Sequence, residues 1–515
     1  MINVPLEDNL KKYFGFDSFR EGQKEIIEDV LKGEDVIGIL PTGTGKSLCY
    51  QYPAAVMDGT VLIVSPLISL MVDQVKQLKQ QGFKRVAAIN SFLDRSQKKK
   101  VYDHLESYQL IYCSPEMLQN EIFIHELKQR VTISLFVVDE AHCISQWGHE
   151  FRTDYLKLHE AITALDNPTL LALSATAPFH VQEDISQQLG RPHMKKRIYP
   201  MDRENIAFTI EHVANMDEKL NRIQSVLTTH PVPTMIYFSS RQWSEKAAFT
   251  LSQALPHLRI AYYHGGMEQM DRLLIQQQFM NDQLDVICCT SAFGMGVNKS
   301  NIRLVIHAHL PSQVESFLQE IGRAGRDGEQ SVSLTFYAPG DSEIPKTFIR
   351  SELPEDRTVF QVIQSLHRMA LHESEIMPSD VEMEGKLEIS EVQWRFLRFQ
   401  LEKHGMIQEN RIVVNEEKMK HSYDSIISFI QERTLVKEKK LQSLLHWLHQ
   451  HDCLRKEIYS SFQSSLKEPT GFCCDRCDFT FSAWDINSLM KAHRPTDWIT
   501  ELRMIFRQGD DYEME

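Results

Sequence analysis

From residue 35 onward, short apolar runs alternate with longer stretches in which apolar residues recur at helical spacing. DVIGIL, TVLIVSP, VAAIN, LIYCS, SLFVVDE and TLLALSAT each give way to polar or amphipathic segments. That rhythm predicts a parallel sheet wrapped by helices. It stops at KKRIYPMDREN, residues 195–205, a basic, proline-bearing segment suited to a linker. It resumes with VPTMIYFSS, IAYYHGG, DVICCTS, RLVIHAHL and SVSLTFYA, ending near Pro339. Two tandem α/β domains are therefore expected, over 1–200 and 201–342, with a cleft between them.

Beyond Pro339 the alternation is lost. RTVFQVIQSLHRMALHE and SEVQWRFLRFQLEKHG carry helical apolar spacing, and MIQENRIVVN, which follows, reads as a short hairpin. A helix followed by a small β wing predicts a winged-helix-like module over 343–423, with Gln408–Val414 as the wing. A helical, cysteine-bearing module is expected over 424–482, and 483–515 reads as a short, partly disordered acidic tail.

A chain of 515 residues is too long for one core. Its 42% apolar and 24% charged residues are ordinary globular usage. Lys plus Arg at 56 against Asp plus Glu at 70 gives a net charge of −14, which excludes a surface that binds polyanions everywhere. Any nucleic-acid site must be local. KKK at 98–100, KKR at 195–197 and KEKK at 437–440 are candidates, although such runs also serve as solvated faces. No apolar run is long enough for a membrane span, and MINVPLEDNLKKYF lacks the pattern of a secretory signal. A cytoplasmic protein is expected, nucleoid-associated in a bacterium. Cys49, Cys113, Cys143, Cys288 and Cys289 lie in or beside strand-like runs and read as small core residues.

PTGTGKS, residues 41–47, sits between the strand-like DVIGIL and a helix-compatible segment. Gly43 and Gly45 let the backbone curl around a phosphate, with the N–H groups of Thr42 and Thr44 beside them. Lys46 reaches the β and γ phosphates of ATP, and Ser47 can ligate Mg²⁺. A plain glycine turn beside a lysine is the competing reading, and the strand–loop–helix context disfavours it. Asp139 and Glu140 stand at the end of SLFVV, the edge where open parallel sheets place ligands. Asp139 is expected to hold Mg²⁺ and Glu140 to orient and deprotonate the attacking water. The segment they open, DEAHCISQWGHEFR, crowds two histidines, a tryptophan and an arginine into residues 139–152.

PTGTGKS, DEAH, SAT at 174–176, TSAFGMGVNKSNIRLVIH and QEIGRAGRDG resemble, in order, the motifs of superfamily 2 helicases. With FGFDSFREGQ at 14–23, SPLISLMVDQV at 65–75 and SQWGHEFR, residues 10–340 look like the RecQ family of DNA helicases. The resemblance implies two RecA-like domains, with Phe16 stacking on adenine, Gln23 bonding its edge and Arg20 nearby. It implies that Arg326 is the arginine finger from the second domain, with Arg323 and Gln319 in support. It further implies that SQWGHEFR couples single-stranded DNA to the ATP site through Ser145, Trp147, His149, Phe151 and Arg152. His142 is left between two roles, a bridge to the second domain or an orienter of its neighbours.

Cys453, Cys473, Cys474 and Cys477 cluster near the C-terminus, and Cys474-x-x-Cys477 has zinc-knuckle spacing. Structural Zn²⁺ on four thiolates is expected, and the segment resembles the family's zinc module. Adjacent Cys473 and Cys474 depart from the family's spacing, so a three-cysteine site completed by His451 stays open. The wing also precedes the cysteines instead of following them, and the 38 residues after Cys477 are short for the family's terminal nucleic-acid-binding domain.

The resemblance implies an ATP-dependent DNA helicase moving 3′ to 5′, acting in DNA repair, recombination or replication. Two alternatives are a DNA-stimulated translocase that does not separate strands, and a recombination scaffold switched by ATP. An RNA helicase fits less well, because FREGQ and QWGHEFR together point to the DNA-directed family. The expected partners are single-stranded DNA and forked or recombination-intermediate DNA, with single-strand-binding and recombination proteins as candidates. No membrane is expected, and the chain is expected to be a monomer.

Overall fold

The computed structural model describes residues 5–66, 68–90, 93–145, 153–294, 299–372, 376–413, 415–463 and 465–484. The first lobe is built on seven parallel strands: β1 (Val36–Ile39), β2 (Thr60–Val64), β3 (Val86–Ile89), β4 (Leu110–Cys113), β5 (Ile133–Val138), β6 (Thr169–Ser174) and β7 (Lys195–Ile198). They lie in the order β3-β4-β2-β5-β6-β1-β7. The central strands are buried from end to end because helices cover both faces: Ile37, Leu62 and Val138 pack on one side, Val36, Ile63 and Val137 on the other.

The second lobe has six parallel strands: β8 (Ile206–His212), β9 (Thr234–Tyr237), β10 (Ile260–Tyr263), β11 (Val286–Cys289), β12 (Leu304–His307) and β13 (Ser331–Tyr337). Their order is β10-β11-β9-β12-β13-β8. Two RecA-like sheets in tandem are thus present. The five cysteines assigned to the core are all buried.

The expected linker over 195–205 is shorter than its composition suggested. KKR is edge strand β7, in register with β1 through Val36↔Lys195 and Ile39↔Ile198. Its cations are consumed by the fold. Lys195 pairs with Asp29 and Glu34, Arg197 with Asp29, and Lys196 with Glu183. In KEKK, Lys437 pairs with Glu352 and Lys440 with Glu315 at 2.8 Å. Two of the three basic clusters therefore neutralise neighbouring carboxylates, and only KKK, on helix Arg95–Tyr102, lies on the open surface.

Helices Asp356–His372, Asp380–Leu387 and Glu391–Lys403 precede a hairpin of β14 (Ile407–Gln408) and β15 (Arg411–Ile412). Glu409 and Asn410 at its tip both have positive φ, the conformation a two-residue hairpin turn requires. An antiparallel bridge from Ile376 to Arg411 adds a third strand position, giving a winged-helix-like arrangement. Val414, at the end of the expected wing, lies outside the described residues. Trp394 anchors this module: its ring is fully buried and its indole Nε1 donates to Asp380 Oδ1 at 2.7 Å.

The expected boundary between 423 and 424 falls inside one continuous helix, Glu416–His449. Its first half packs Ile426 and Ile430 into the winged-helix core, and its last turns pack Leu444, Trp447 and Leu448 into the core of the second lobe. The cysteine module shares that second core. Phe208 donates its N–H to Cys473 O and accepts from Asp475 N–H, so the module extends the sheet past edge strand β8. Among the described residues no helix is long and apolar enough to cross a membrane.

Removing the Trp394 ring leaves a cavity and takes one donor from Asp380, which keeps Arg398 Nη1 at 2.6 Å. Trp394→Ala should cost the winged-helix-like module about 3–5 kcal/mol. Hydrogen exchange should speed up across 356–412 and stay unchanged in β1–β6.

Candidate functional site

The phosphate loop spans the gap between β1 and helix Leu48–Val56. Gly43 and Gly45 adopt φ of 86° and 76°, which a side chain there would strain. A Cβ on Gly43 would also stand 3.1 Å from Arg326 Cγ. The loop is braced from the N-terminal segment. Gln23 Nε2 donates to Thr44 O (2.8 Å) and Gly45 O (3.0 Å), Gln23 Oε1 accepts from Arg20 N–H, and Arg20 Nη1 donates to Gly43 O at 2.6 Å. The Gln23 amide, expected on the adenine edge, is here engaged at both ends by protein. Phe16 is 53% exposed at the rim of a cavity of about 480 Å³ that Lys46, Ser47, Asp139, Glu140 and Gln319 also line.

Asp139 closes β5 and is buried beside the loop. Burial and the neighbouring Glu140 push its carboxyl up to about 7, against the pull of Lys46. Glu140 sits in the left-handed region at φ 49°, its N–H on Asp139 Oδ1 at 3.0 Å. That turn sends two successive carboxylates in different directions. Glu140 Oε2 lies 3.4 Å from His142 Nδ1, which is 2.9 Å from Ser174 Oγ. The fully buried His142 therefore joins DEAH to SAT inside the first lobe. Tyr155, whose hydroxyl donates to Asp139 O, was not singled out by any motif.

The second lobe closes on this loop from the turn after helix Val314–Ile321. Thr42 Oγ1 donates to Gly322 O at 3.0 Å, and a Cβ on Gly322 would fall 2.0 Å from that hydroxyl. Only glycine lets the lobes meet this closely. Arg323 is buried, donates to Gly294 O and faces the Tyr237 hydroxyl. The Arg326 stem lies against Gly43; burial, with Arg323 and Arg203 adding like charge, lowers its guanidinium to about 9.

A DEAD/DEAH box helicase model matches residues 20–185, and a helicase conserved C-terminal domain model matches 218–328. The chain is 41% identical over 504 residues to the probable ATP-dependent DNA helicase RecS of Bacillus subtilis, covering 97% of this chain and 98% of that one. This chain belongs to the RecQ family of superfamily 2 helicases. It is 42% identical over 334 residues to the ATP-dependent DNA helicase RecQ of Haemophilus influenzae, a match covering 64% of this chain and 53% of that protein. Its fold is similar to those of Mycobacterium smegmatis Lhr bound to single-stranded DNA and AMP-PNP (TM-score 0.55, 18% identity, 81% and 61% coverage) and of the DEAD-box helicase Mss116 bound to single-stranded RNA (TM-score 0.57, 16% identity, 88% and 89% coverage).

In this RecQ-family chain Trp147, His149, Phe151 and Arg152 lie outside the described residues. Ser145, expected among the DNA contacts, is fully buried and donates its hydroxyl to Asp184 Oδ2 at 2.7 Å. It thus fastens the base of the aromatic segment to helix Phe179–Gln188.

All four Sγ atoms of Cys453, Cys473, Cys474 and Cys477 lie within 4.8 Å of one another, with Cys453–Cys473 and Cys474–Cys477 at 3.5 Å. Tetrahedral zinc with bonds of about 2.3 Å sets its sulfurs about 3.8 Å apart, so the cluster fits the ion. Adjacent Cys473 and Cys474 both reach it because the chain turns sharply: Cys474 O accepts from the N–H groups of Cys477, Asp478 and Phe479. Hydrogen bonding from Cys473 leads in lowering the Cys474 thiol to about 5, and burial raises Cys477 to about 12. His451 is exposed and outside the cluster.

Purified protein is expected to carry about one zinc per chain, bound by thiolates alone. Cys474→Ser should lose it and His451→Ala should retain it, measured by metal analysis.

Proposed function

We propose that this chain is an ATP-dependent DNA helicase that translocates 3′ to 5′ on single-stranded DNA and separates duplexes during DNA repair, recombination or replication. What supports the reading most directly is the contact between the phosphate loop and the arginine turn, Thr42 on Gly322 and Arg326 on Gly43. A nucleotide seated on Lys46 would have its γ-phosphate where both lobes meet, so hydrolysis requires closure. Ser47 and Asp139 would hold Mg²⁺, which neutralises phosphate charge when bound. Glu140 takes the proton of the attacking water, and the Arg326 guanidinium faces the charge that develops on the transferred group. Phe16 offers an aromatic face for adenine. Trp147 and its neighbours, eight residues beyond Asp139, would report a bound strand to that site.

A translocase that leaves duplexes intact is a second reading, favoured by one observation. Helix Glu391–Lys403, in the position that reads DNA in winged-helix proteins, faces the first lobe, with Glu402 on Lys157 at 3.1 Å and Arg395 3.9 Å from Asp154. Forked duplexes with a single 3′ or 5′ tail separate the two. Unwinding confined to the 3′-tailed fork is expected, and DNA-stimulated ATPase with no strand separation on either fork would establish the translocase.

Arg326→Ala should lower kcat by about a thousandfold with little change in ATP affinity, the usual consequence of deleting an arginine finger. Lys46→Ala should abolish phosphate release altogether. Trp147→Ala should keep the DNA-free rate and lose its stimulation by single strands; equal loss of both would assign the indole to structure.

A further inference from the structure

Arg203 lies in the short connector between β7 and β8, in no motif that the family resemblance uses. It is half-buried, yet its charge is not neutralised by an ion pair at contact distance among the described residues. Four backbone carbonyls receive it instead. Nη1 donates to Thr42 O of the phosphate loop at 3.1 Å and to Gly322 O at 3.2 Å, and Nη2 donates to Ala324 O at 3.2 Å and Gly325 O at 2.5 Å. One guanidinium thus touches both sides of the nucleotide cleft. The planar fork suits this task, since several donors diverge from a single rigid group, whereas a lysine presents one point charge.

The connector that carries Arg203 is itself held in place. Arg455, 2% exposed, donates to Arg203 O at 2.8 Å and to Ile206 O at 2.6 Å, from the helix that Cys453 opens. Asp202 accepts from Gln463 Nε2 and from Lys467 N–H. The carbonyls that Arg203 meets bracket Arg323 and precede Arg326, so its grip fixes the turn on which both arginines ride.

We propose that Arg203 is a positioning residue for hydrolysis, a connector arginine that sets the finger turn against the phosphate loop and so aims Arg326. This rests on the chain being an ATP hydrolase. Besides those carbonyls Arg203 meets the Asn205 side-chain oxygen at 3.4 Å, and it is not itself catalytic. Its loss would leave nucleotide binding to the first lobe largely intact and would misplace the finger.

The test uses the full chain with saturating single-stranded DNA, comparing wild type, Arg203→Gln, Arg203→Lys, Arg326→Ala and Arg203→Gln combined with Arg326→Ala. Arg203→Gln should lower kcat on the order of tenfold to a hundredfold, the scale of a misplaced catalytic group. Affinity for fluorescently labelled ADP should stay within about threefold, and zinc content and melting temperature should be unchanged. Arg203→Lys should fall between Arg203→Gln and wild type. In the Arg326→Ala background, Arg203→Gln should cost about twofold or less, because both changes remove one step. A kcat for Arg203→Gln within about twofold of wild type would overturn the assignment, as would full additivity with Arg326→Ala or a matching fall in ADP affinity and melting temperature. A wild-type chain that hydrolyses no ATP would instead remove the reading of the site itself.

Discussion

Two loops from different sheets meet at backbone distance, and the molecule is arranged around that meeting. Gly322 has no side chain where the Thr42 hydroxyl arrives, and Gly43 has none where the Arg326 stem lies. Each glycine is required by its counterpart across the cleft. Burying cations there is costly unless they are received, and carbonyls and the Tyr237 hydroxyl receive them. The phosphate oxygens of a nucleotide would bring negative charge to these cations.

Much of this was legible in the letters. Continuous apolar runs give strands buried on both faces, and these runs fell on β1–β6 and β9–β13. PTGTGKS and DE stand at the carboxyl ends of β1 and β5, where such sheets expose their loops. Less was legible where side chains act outside any pattern. Arg203 and Arg455 act on carbonyls, and no periodicity or spacing marks a residue whose partners are backbone. KKR looked like a surface patch because sequence shows cations and not the Asp29, Glu34 and Glu183 that meet them. The 423/424 boundary failed because one amphipathic helix changes partners half-way, and its apolar stripe runs on without interruption through the change.

The cysteine module illustrates the same point at larger scale. Its residues bury against Phe208, Trp447 and Tyr459 of one continuous core, so it is part of the second lobe more than an appendage. Cys453, one of its four clustered cysteines, is the N-cap of the helix that bears Arg455. One short helix thus links the sulfur cluster to the connector between the lobes.

Helix Glu416–His449 has 34 residues and is about 50 Å long. Its C-terminal end is sunk in the second lobe by Leu444, Trp447 and Leu448, worth about 1.5–3 kcal/mol apiece. At its other end the winged-helix-like module touches the first lobe through half-exposed ion pairs worth about 1 kcal/mol or less each. The stronger anchorage decides which body carries the module. The helix is thus a lever arm: a 10° swing of the second lobe would carry its tip by about 9 Å, a long reach from a small angular stroke.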